Sequence, residues 1–290
     1  MKKIGILIYL LFLLILSSCI QKENLGSKKN PIKIFLVPGK ESSGLLHSAH
    51  QMSEFLQNET GLFFTATVPL SYIAVVEAMG TKRADIAALS TSTYLIAHKK
   101  YQAEVIFITE VNGQSTYRGQ IITHVNGLKK LEDLTDKKIA YVDPASASGH
   151  LLALDLLKKR GVKPAQSIFA GGHDAVVTLV YTRKVDAGAT FYSAPENGVP
   201  KDARRLIKLQ YPDVFEKVTI LEFTTEIPND ALAFRKDFPV VLREKVITAI
   251  QKWALSTKGK LTLKEMNNGT GLIRATDADY DLARKILNIK

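Results

Sequence analysis

One pattern of residues occurs twice in the chain, and this repeat constrains the fold more strongly than any other feature of the sequence. The first copy begins Tyr-Ile-Ala-Val-Val at Tyr72, and Asp85 follows thirteen positions later. The second copy begins His-Asp-Ala-Val-Val at His173, and Asp186 again follows thirteen positions later. Each copy also carries a threonine and two basic residues shortly before its aspartate. Duplication of one unit explains this match better than chance, so we expect two similar lobes.

The same succession of predicted elements, strand, helix, strand, helix and strand, surrounds each copy. The expected elements are 32–37, 42–61, 62–68, 71–79 and 85–89 in the first half, and 137–142, 146–160, 167–170, a helix from 173, and 185–189 in the second. Two such units predict two parallel sheets covered by helices, with ligands beyond the carboxyl ends of the strands. Tyr72 and His173, each at a helix start, are therefore expected on opposite walls of a cleft that closes by hinge motion.

Two further segments are expected to connect the predicted lobes. Tyr117 to Val125 is predicted to be a strand-like segment that joins them, and Leu221 to Asn229 a candidate return crossing. The resulting boundaries are 32–117 plus 229–290 for lobe 1 and 118–228 for lobe 2.

The first residues indicate export and a lipid anchor. Lys2 and Lys3 precede an apolar run that ends at Leu16, a pattern typical of a secretory signal peptide and too short for a comfortable membrane span. Leu16 to Cys19 resembles the bacterial lipobox, so we expect a signal peptide over 1–18, acylation of Cys19, and a polar tether over 19–31. The protein would then sit in the cell envelope, on a membrane face towards the periplasm or the exterior. Cys19 is the only cysteine, which excludes an internal disulfide.

The net positive charge of the chain is compatible with an anionic ligand but does not by itself indicate one. Loss of residues 1–18 would leave 37 basic against 28 acidic side chains, a net charge of +9. The basic residues are spread along the chain without interleaved aromatic clusters. Together with the secretory start, this spread argues against nucleic acid as a partner.

One stretch of the second half is typical of an anion seat. A buried strand ends at Asp143 and Pro144, small residues follow through Gly149, and a leucine-rich helix comes next. The free N–H groups at such a helix start favour a phosphate-like ligand. An ordinary capped helix explains the same stretch equally well.

Several motifs in the same order resemble the phosphate-, phosphite- and phosphonate-binding proteins of ABC transporters. They are Tyr72 with Asp85-Ile86-Ala87, Leu131 to Ala140, Asp143 to Gly149, Gly171-Gly172-His173, and Val185 to Ala189. The resemblance covers most of the mature chain. It implies an α/β type II periplasmic-binding-protein fold, a bound phosphorus oxyanion, delivery to a membrane permease, and no enzymatic activity. We also expect a monomer and no cofactor.

The resemblance also assigns ligand contacts. Hydroxyls of Ser146 and Ser148 and the backbone near Gly149 would meet the anion, and His173 would donate a ring N–H. The loop of the family usually reads Ser-Thr-Ser-Gly, so Ala147 lacks one hydroxyl donor and leaves the identity of the ligand open. Tyr72 and Tyr117 would offer phenolic hydroxyls. Second-tier candidates are Ser90, Thr91 and, for a ligand amine, Glu226.

Two alternatives stay open at this point. The same fold could bind a larger phosphate ester such as thiamine pyrophosphate, which some relatives are thought to bind. A surface lipoprotein with a hydrolase or metal-binding role is the alternative of another class. The serine loop lacks a Gly-x-Ser-x-Gly elbow, and His47 and His50 have no second ligand cluster, so both forms of this alternative are weaker.

Overall fold

The structure is a computed structural model that describes residues 23–36, 42–267 and 269–289. The predicted signal peptide 1–18, Cys19 and the end of the first predicted strand at Val37 lie outside the described residues. Within the described part of the chain, no helix has the length and apolar character needed to cross a membrane.

The first sheet has six strands in the order β11-β4-β10-β3-β1-β2. Their bounds are β1 Ile32–Leu36, β2 Phe64–Thr67, β3 Ile86–Leu89, β4 Glu104–Glu110, β10 Ala231–Phe234 and β11 Gly271–Arg274. The helices that accompany it are α1 Ser42–Thr60, α2 Tyr72–Gly80, α3 Thr91–Tyr101, α7 Val240–Leu255, α8 Thr257–Asn267 and α9 Asp281–Ile286. Apolar side chains fill both faces of this sheet, so its strands are buried runs rather than alternating ones.

The second sheet has five strands in the order β7-β6-β8-β5-β9. Their bounds are β5 Thr116–His124, β6 Lys138–Tyr141, β7 Gln166–Phe169, β8 Ala187–Tyr192 and β9 Val218–Pro228. Its helices are α4 Leu152–Lys159, α5 His173–Tyr181 and α6 Val214–Lys217, with a short π-helix over Ala147–Leu151 directly before α4. The predicted α/β two-lobed class is therefore confirmed, with one sheet in each lobe.

The prediction of two purely parallel sheets is wrong. Strands β1, β2 and β3 are parallel, and so are β6, β7 and β8. However, β10 runs antiparallel to β3 and β4, and β5 runs antiparallel to β8 and β9. The antiparallel strands β5, β9 and β10 flank the two connections between the sheets, where the chain reverses direction outside the βαβ units.

The repeated aspartates occupy equivalent structural positions. In the first lobe, Asp85 Oδ2 accepts a hydrogen bond from the backbone N–H of Lys33, at 2.9 Å. In the second lobe, Asp186 Oδ2 accepts one from the backbone N–H of Lys138, at 2.8 Å. Each aspartate thus fixes the start of a parallel strand, β1 in the first lobe and β6 in the second.

The two lobes are in direct contact. The Ser92 hydroxyl of α3 donates to the carbonyl of Ala145 in the second lobe. Side chains also cross: Ala147 packs in a cluster with Val75 and Tyr94 of the first lobe, and Tyr72 packs with apolar residues of the second. Because each lobe inserts side chains into the other's core, the cleft between them is closed on this side.

Candidate ligand-binding site

A cavity of about 600 Å³ lies between the two sheets. Its walls come from both lobes, with Tyr72 and Ser90 on one side and Ser146, Ser148 and His173 on the other. This volume falls within the range of roughly 300–1,000 Å³ that is usual for small-molecule sites. The cavity is the candidate ligand-binding site.

Helix starts surround the cavity, as the repeat predicted. Tyr72 is the first residue of α2, which the Ser71 hydroxyl caps, and His173 is the first residue of α5. Ser90, which also lines the cavity, caps a third helix, α3. Each helix start carries a partial positive charge and N–H groups that no residue within the helix can accept from, so three helix starts around one cavity favour an anion.

The serine loop begins with a wider helical turn than the sequence predicted. Ser146 caps a π-helix over Ala147–Leu151, and its hydroxyl accepts a hydrogen bond from the backbone N–H of Gly149, at 3.1 Å. A π turn at the start of a helix is a feature often found at functional sites. It brings Ser146, Ala147 and Ser148 to the cavity wall, with both serines almost wholly buried.

Gly149 has a packing role that the sequence did not reveal. It is absent from the described residues that line the cavity. A Cβ at this position would lie 2.6 Å from the Cβ of Val142 and 2.8 Å from the Ser146 hydroxyl oxygen. The missing side chain therefore lets the serine loop pack against the end of β6.

Gly149→Ala is expected to destabilise the protein by about 1–3 kcal/mol, because the added methyl overpacks this contact. Urea denaturation checks the stability. The displaced Ser146 hydroxyl should also weaken ligand binding in the same variant. An unchanged urea midpoint would contradict the packing role.

The two tyrosines of the site are neutral hydrogen-bond donors. Burial raises the pKa of Tyr72 well above its usual value, and the charge of Asp230 adds to this, against a lowering by the Ser146 hydroxyl. Burial and then Asp230 also raise the pKa of Tyr117, whose hydroxyl interacts with Ser148 and Thr91. Both phenols therefore keep their protons at physiological pH, and both line the cavity.

His173 lies on the second-lobe wall with a fixed ring. Its Nδ1 lies 2.7 Å from the Thr190 hydroxyl oxygen, and its ring meets Phe191 edge-on at 4.9 Å between centroids. These two contacts set the orientation of the imidazole towards the cavity that it lines.

The second-tier candidates divide into two groups. Ser90 and Glu226 line the cavity, whereas Thr91 lies behind it and donates to the carbonyl of Pro228. Glu226 already forms an ion pair with Arg118, which also lines the cavity. This pairing makes Glu226 a poor partner for a ligand amine.

Asp230 is a residue of the cavity wall that the sequence analysis did not identify. It lines the cavity in the short connection between β9 and β10, and its charge raises the pKa of Tyr72, Tyr117 and Tyr280. The sequence did offer one indication. Asp230 directly follows Asn229, the last residue of the segment predicted to cross back between the lobes. There the carboxyl end of one strand meets the cleft between the lobes.

Metal chemistry finds no support in this site. Across the described residues, no group of three or more His, Cys, Asp or Glu side chains is arranged to hold a metal ion.

Two sheet-centred lobes, two short connections and a cavity lined by helix starts define a bilobal solute-binding protein. The family of ABC-transporter phosphonate periplasmic substrate-binding proteins matches residues 34–280, and the chain belongs to this family. Its members capture a solute for a transporter in the cell envelope and are not enzymes, so the hydrolase alternative is wrong.

Individual relatives support the same assignment. The phosphate-import protein PhnD of Mycolicibacterium smegmatis is 25% identical over 279 residues, which cover 89% of this chain and 85% of the relative. A solved binding component of a Pseudomonas aeruginosa ABC phosphonate transporter has a TM-score of 0.76 at 17% identity, covering 88% of this chain and 84% of that one. PhnD1 of Prochlorococcus marinus, solved with methylphosphonate, has a TM-score of 0.74 at 18% identity, covering 89% and 98%. At these identities the two structures show the fold alone.

Proposed function

We propose that this protein binds a phosphorus oxyanion as a singly charged, protonated species between its lobes and delivers it to an ABC importer. The proposal rests on one observation: the Asp230 carboxylate and several buried, uncharged hydroxyl groups, which can donate hydrogen bonds, line the same cavity. The relatives named for phosphate import and solved with methylphosphonate support this class of ligand.

The donors of the proposed seat are hydroxyls and backbone N–H groups rather than free cations. Tyr72 and Ser90 contribute from the first lobe, and Tyr117, Ser146 and Ser148 from the second sheet and its loop. Arg118 also reaches the cavity, but Glu226 pairs with it. Such a seat offsets the ligand's charge with oriented dipoles, and each hydrogen bond to the charged group contributes about 1.5–3 kcal/mol.

In this proposal, Asp230 makes the site select protonated oxyanions over fully ionised ones. A carboxylate beside the seat repels a fully ionised oxyanion, but it accepts a hydrogen bond from a P–OH group. Phosphate, phosphite and phosphonates all carry such a proton in their monoanionic forms. Sulfate has none near neutral pH, so sulfate is expected to bind far more weakly.

Ala147 bears on which phosphorus compound is preferred. The hydroxyl present at this position in the usual family loop is absent, and the Ala147 methyl is buried against the first lobe. One missing donor lowers affinity for a small oxyanion roughly tenfold or more, so a ligand with further contacts elsewhere compensates best.

The cellular arrangement follows from the family and from the N-terminal sequence. We propose that Cys19 carries a lipid, that residues 19–31 tether the protein to the membrane, and that the protein acts as a monomer beside its permease. We also propose lobe boundaries of 32–117 plus 229–290 for the first lobe and 118–228 for the second.

A thermal-shift panel of phosphite, methylphosphonate, phosphate, thiamine pyrophosphate, sulfate and zinc tests this proposal. A true ligand at a hundred times its dissociation constant should add about 2.7 kcal/mol of stability. We expect shifts with the small phosphorus oxyanions and little or none with sulfate or zinc. If zinc alone moves the melting curve, the solute-binding proposal for this site fails.

A further inference from the structure

The cavity continues beyond the proposed anion seat into the first lobe. There its walls are apolar, and we call this part the apolar chamber. It is lined by Ile34, Leu36, Met52, Leu232, Trp253 and Leu263. All six side chains are buried and belong to one core cluster of the first lobe.

The chamber lies on one face of the first sheet. Ile34 and Leu36 are alternate residues of β1 and therefore point to the same face. Met52 of α1, Trp253 of α7 and Leu263 of α8 line it from the helices. Ala88 of β3 also lines the cavity, packs against the same core cluster as the chamber residues, and precedes Ser90 of the seat by two residues.

The size of the cavity exceeds the needs of a small oxyanion. At about 30 Å³ per water molecule, 600 Å³ corresponds to roughly twenty waters, whereas methylphosphonate has five heavy atoms. Protein interiors are normally packed to the density of organic crystals, and an unfilled apolar cavity costs stability in proportion to its volume. A chamber of this character next to a polar seat is therefore suited to an apolar part of the same ligand.

Trp253 adds a second, independent observation. Its side chain is 1% exposed, yet its indole N–H has no hydrogen-bond partner in the described structure. A buried donor without a partner lowers stability, and native proteins rarely leave one unpaired. A ligand atom that accepts a hydrogen bond would satisfy this donor.

We propose that the ligand is an organophosphorus monoanion whose apolar substituent occupies the chamber and carries an acceptor, such as an ether or carbonyl oxygen, for the Trp253 N–H. This inference rests on the proposed function and deepens it by naming the substituent. It also explains how the protein tolerates Ala147, because burial of the substituent replaces the lost contact at the seat.

Calorimetric titration with methyl-, propyl- and butylphosphonate tests the chamber. Affinity should rise roughly fourfold with each added methylene, because each buried methylene contributes about 0.8 kcal/mol. In Ala88→Leu the larger side chain takes up space in the chamber, so the ratio of butyl- to methylphosphonate affinity should fall towards one. A chain-length series that binds equally well or progressively worse overturns the chamber while leaving the proposed function intact. Failure of all three ligands overturns both.

Fluorescence locates the substituent directly, because Trp253 is the only tryptophan of the chain. A 4-bromobutylphosphonate should quench this emission on binding, since its bromine would touch the indole, and methylphosphonate should not. Trp253→Phe should lower affinity for a 4-methoxybutylphosphonate more than for butylphosphonate, because only the ether loses its donor. Binding of the bromo compound without quenching would overturn the proposal.

Discussion

Asp230→Asn is expected to weaken methylphosphonate binding roughly ten- to a hundredfold at low pH and to abolish the loss of affinity at high pH. In the wild-type protein the carboxylate accepts a hydrogen bond from the P–OH group, a contact to a charged group that contributes about 1.5–3 kcal/mol. As pH rises through the second pKa of the ligand, the protonated species disappears. Affinity of the wild type should then fall by up to tenfold per pH unit.

The asparagine reverses this preference because its amide group donates a hydrogen bond to the dianion. Titrations of both proteins between about pH 5 and 9 measure the effect. The double variant Arg118→Gln with Glu226→Gln is the matched control: it also removes a carboxylate from the cavity wall, but together with its paired cation, so the net charge of the wall stays unchanged. We expect the control to keep the wild-type pH profile. Identical pH profiles for Asp230→Asn and wild type would contradict the assigned role.

Asp85→Ala is expected to lower the free energy of unfolding by about 3–5 kcal/mol, the cost of removing one partner of a buried ion pair. Asp85 is 1% exposed, accepts from the Lys33 backbone, and pairs with Arg235 at 2.8 Å between Nε and Oδ1. Its loss leaves the Arg235 guanidinium with only the more exposed Asp237.

The repeat provides a matched control for this prediction. Asp186 makes the equivalent bond to the Lys138 backbone, but it is solvent-exposed and the described structure gives it no ion pair. Asp186→Ala should therefore cost only about 1 kcal/mol, the usual contribution of one hydrogen bond. Urea denaturation of both variants, read by circular dichroism, compares them. Equal losses at the two positions would show that the buried pair with Arg235 contributes nothing beyond the backbone contact.

The predicted elements that the structure confirms are those that carried a regular pattern in the sequence. The repeat predicted the helix starts at Tyr72 and His173 and the strand that ends before Ser90, and the structure has all three. By contrast, β4 and β10 went unpredicted. Each is a short apolar run, and periodicity alone does not separate such a run from a buried helix segment.

The site was predictable to the extent that its residues lie at strand ends and helix starts. Six of the seven principal candidates line the cavity, because the repeat and the family motifs both mark such positions. Asp230 and Trp253 were missed as site residues for a physical reason. Asp230 reaches the cavity only because two strands from different lobes meet there, and Trp253 does so from a helix face that the sequence indicates as ordinary core.

The central claim is that both lobes hold one oxyanion between them. Calorimetric titration of the mature protein with methylphosphonate tests it most directly, using Tyr72→Phe for the first lobe and Ser148→Ala for the second. We expect one bound ligand per wild-type chain and at least a tenfold loss of affinity in each variant, since each substitution removes one hydroxyl donor. Wild-type affinity in either variant, or no binding to the unaltered protein, would contradict it.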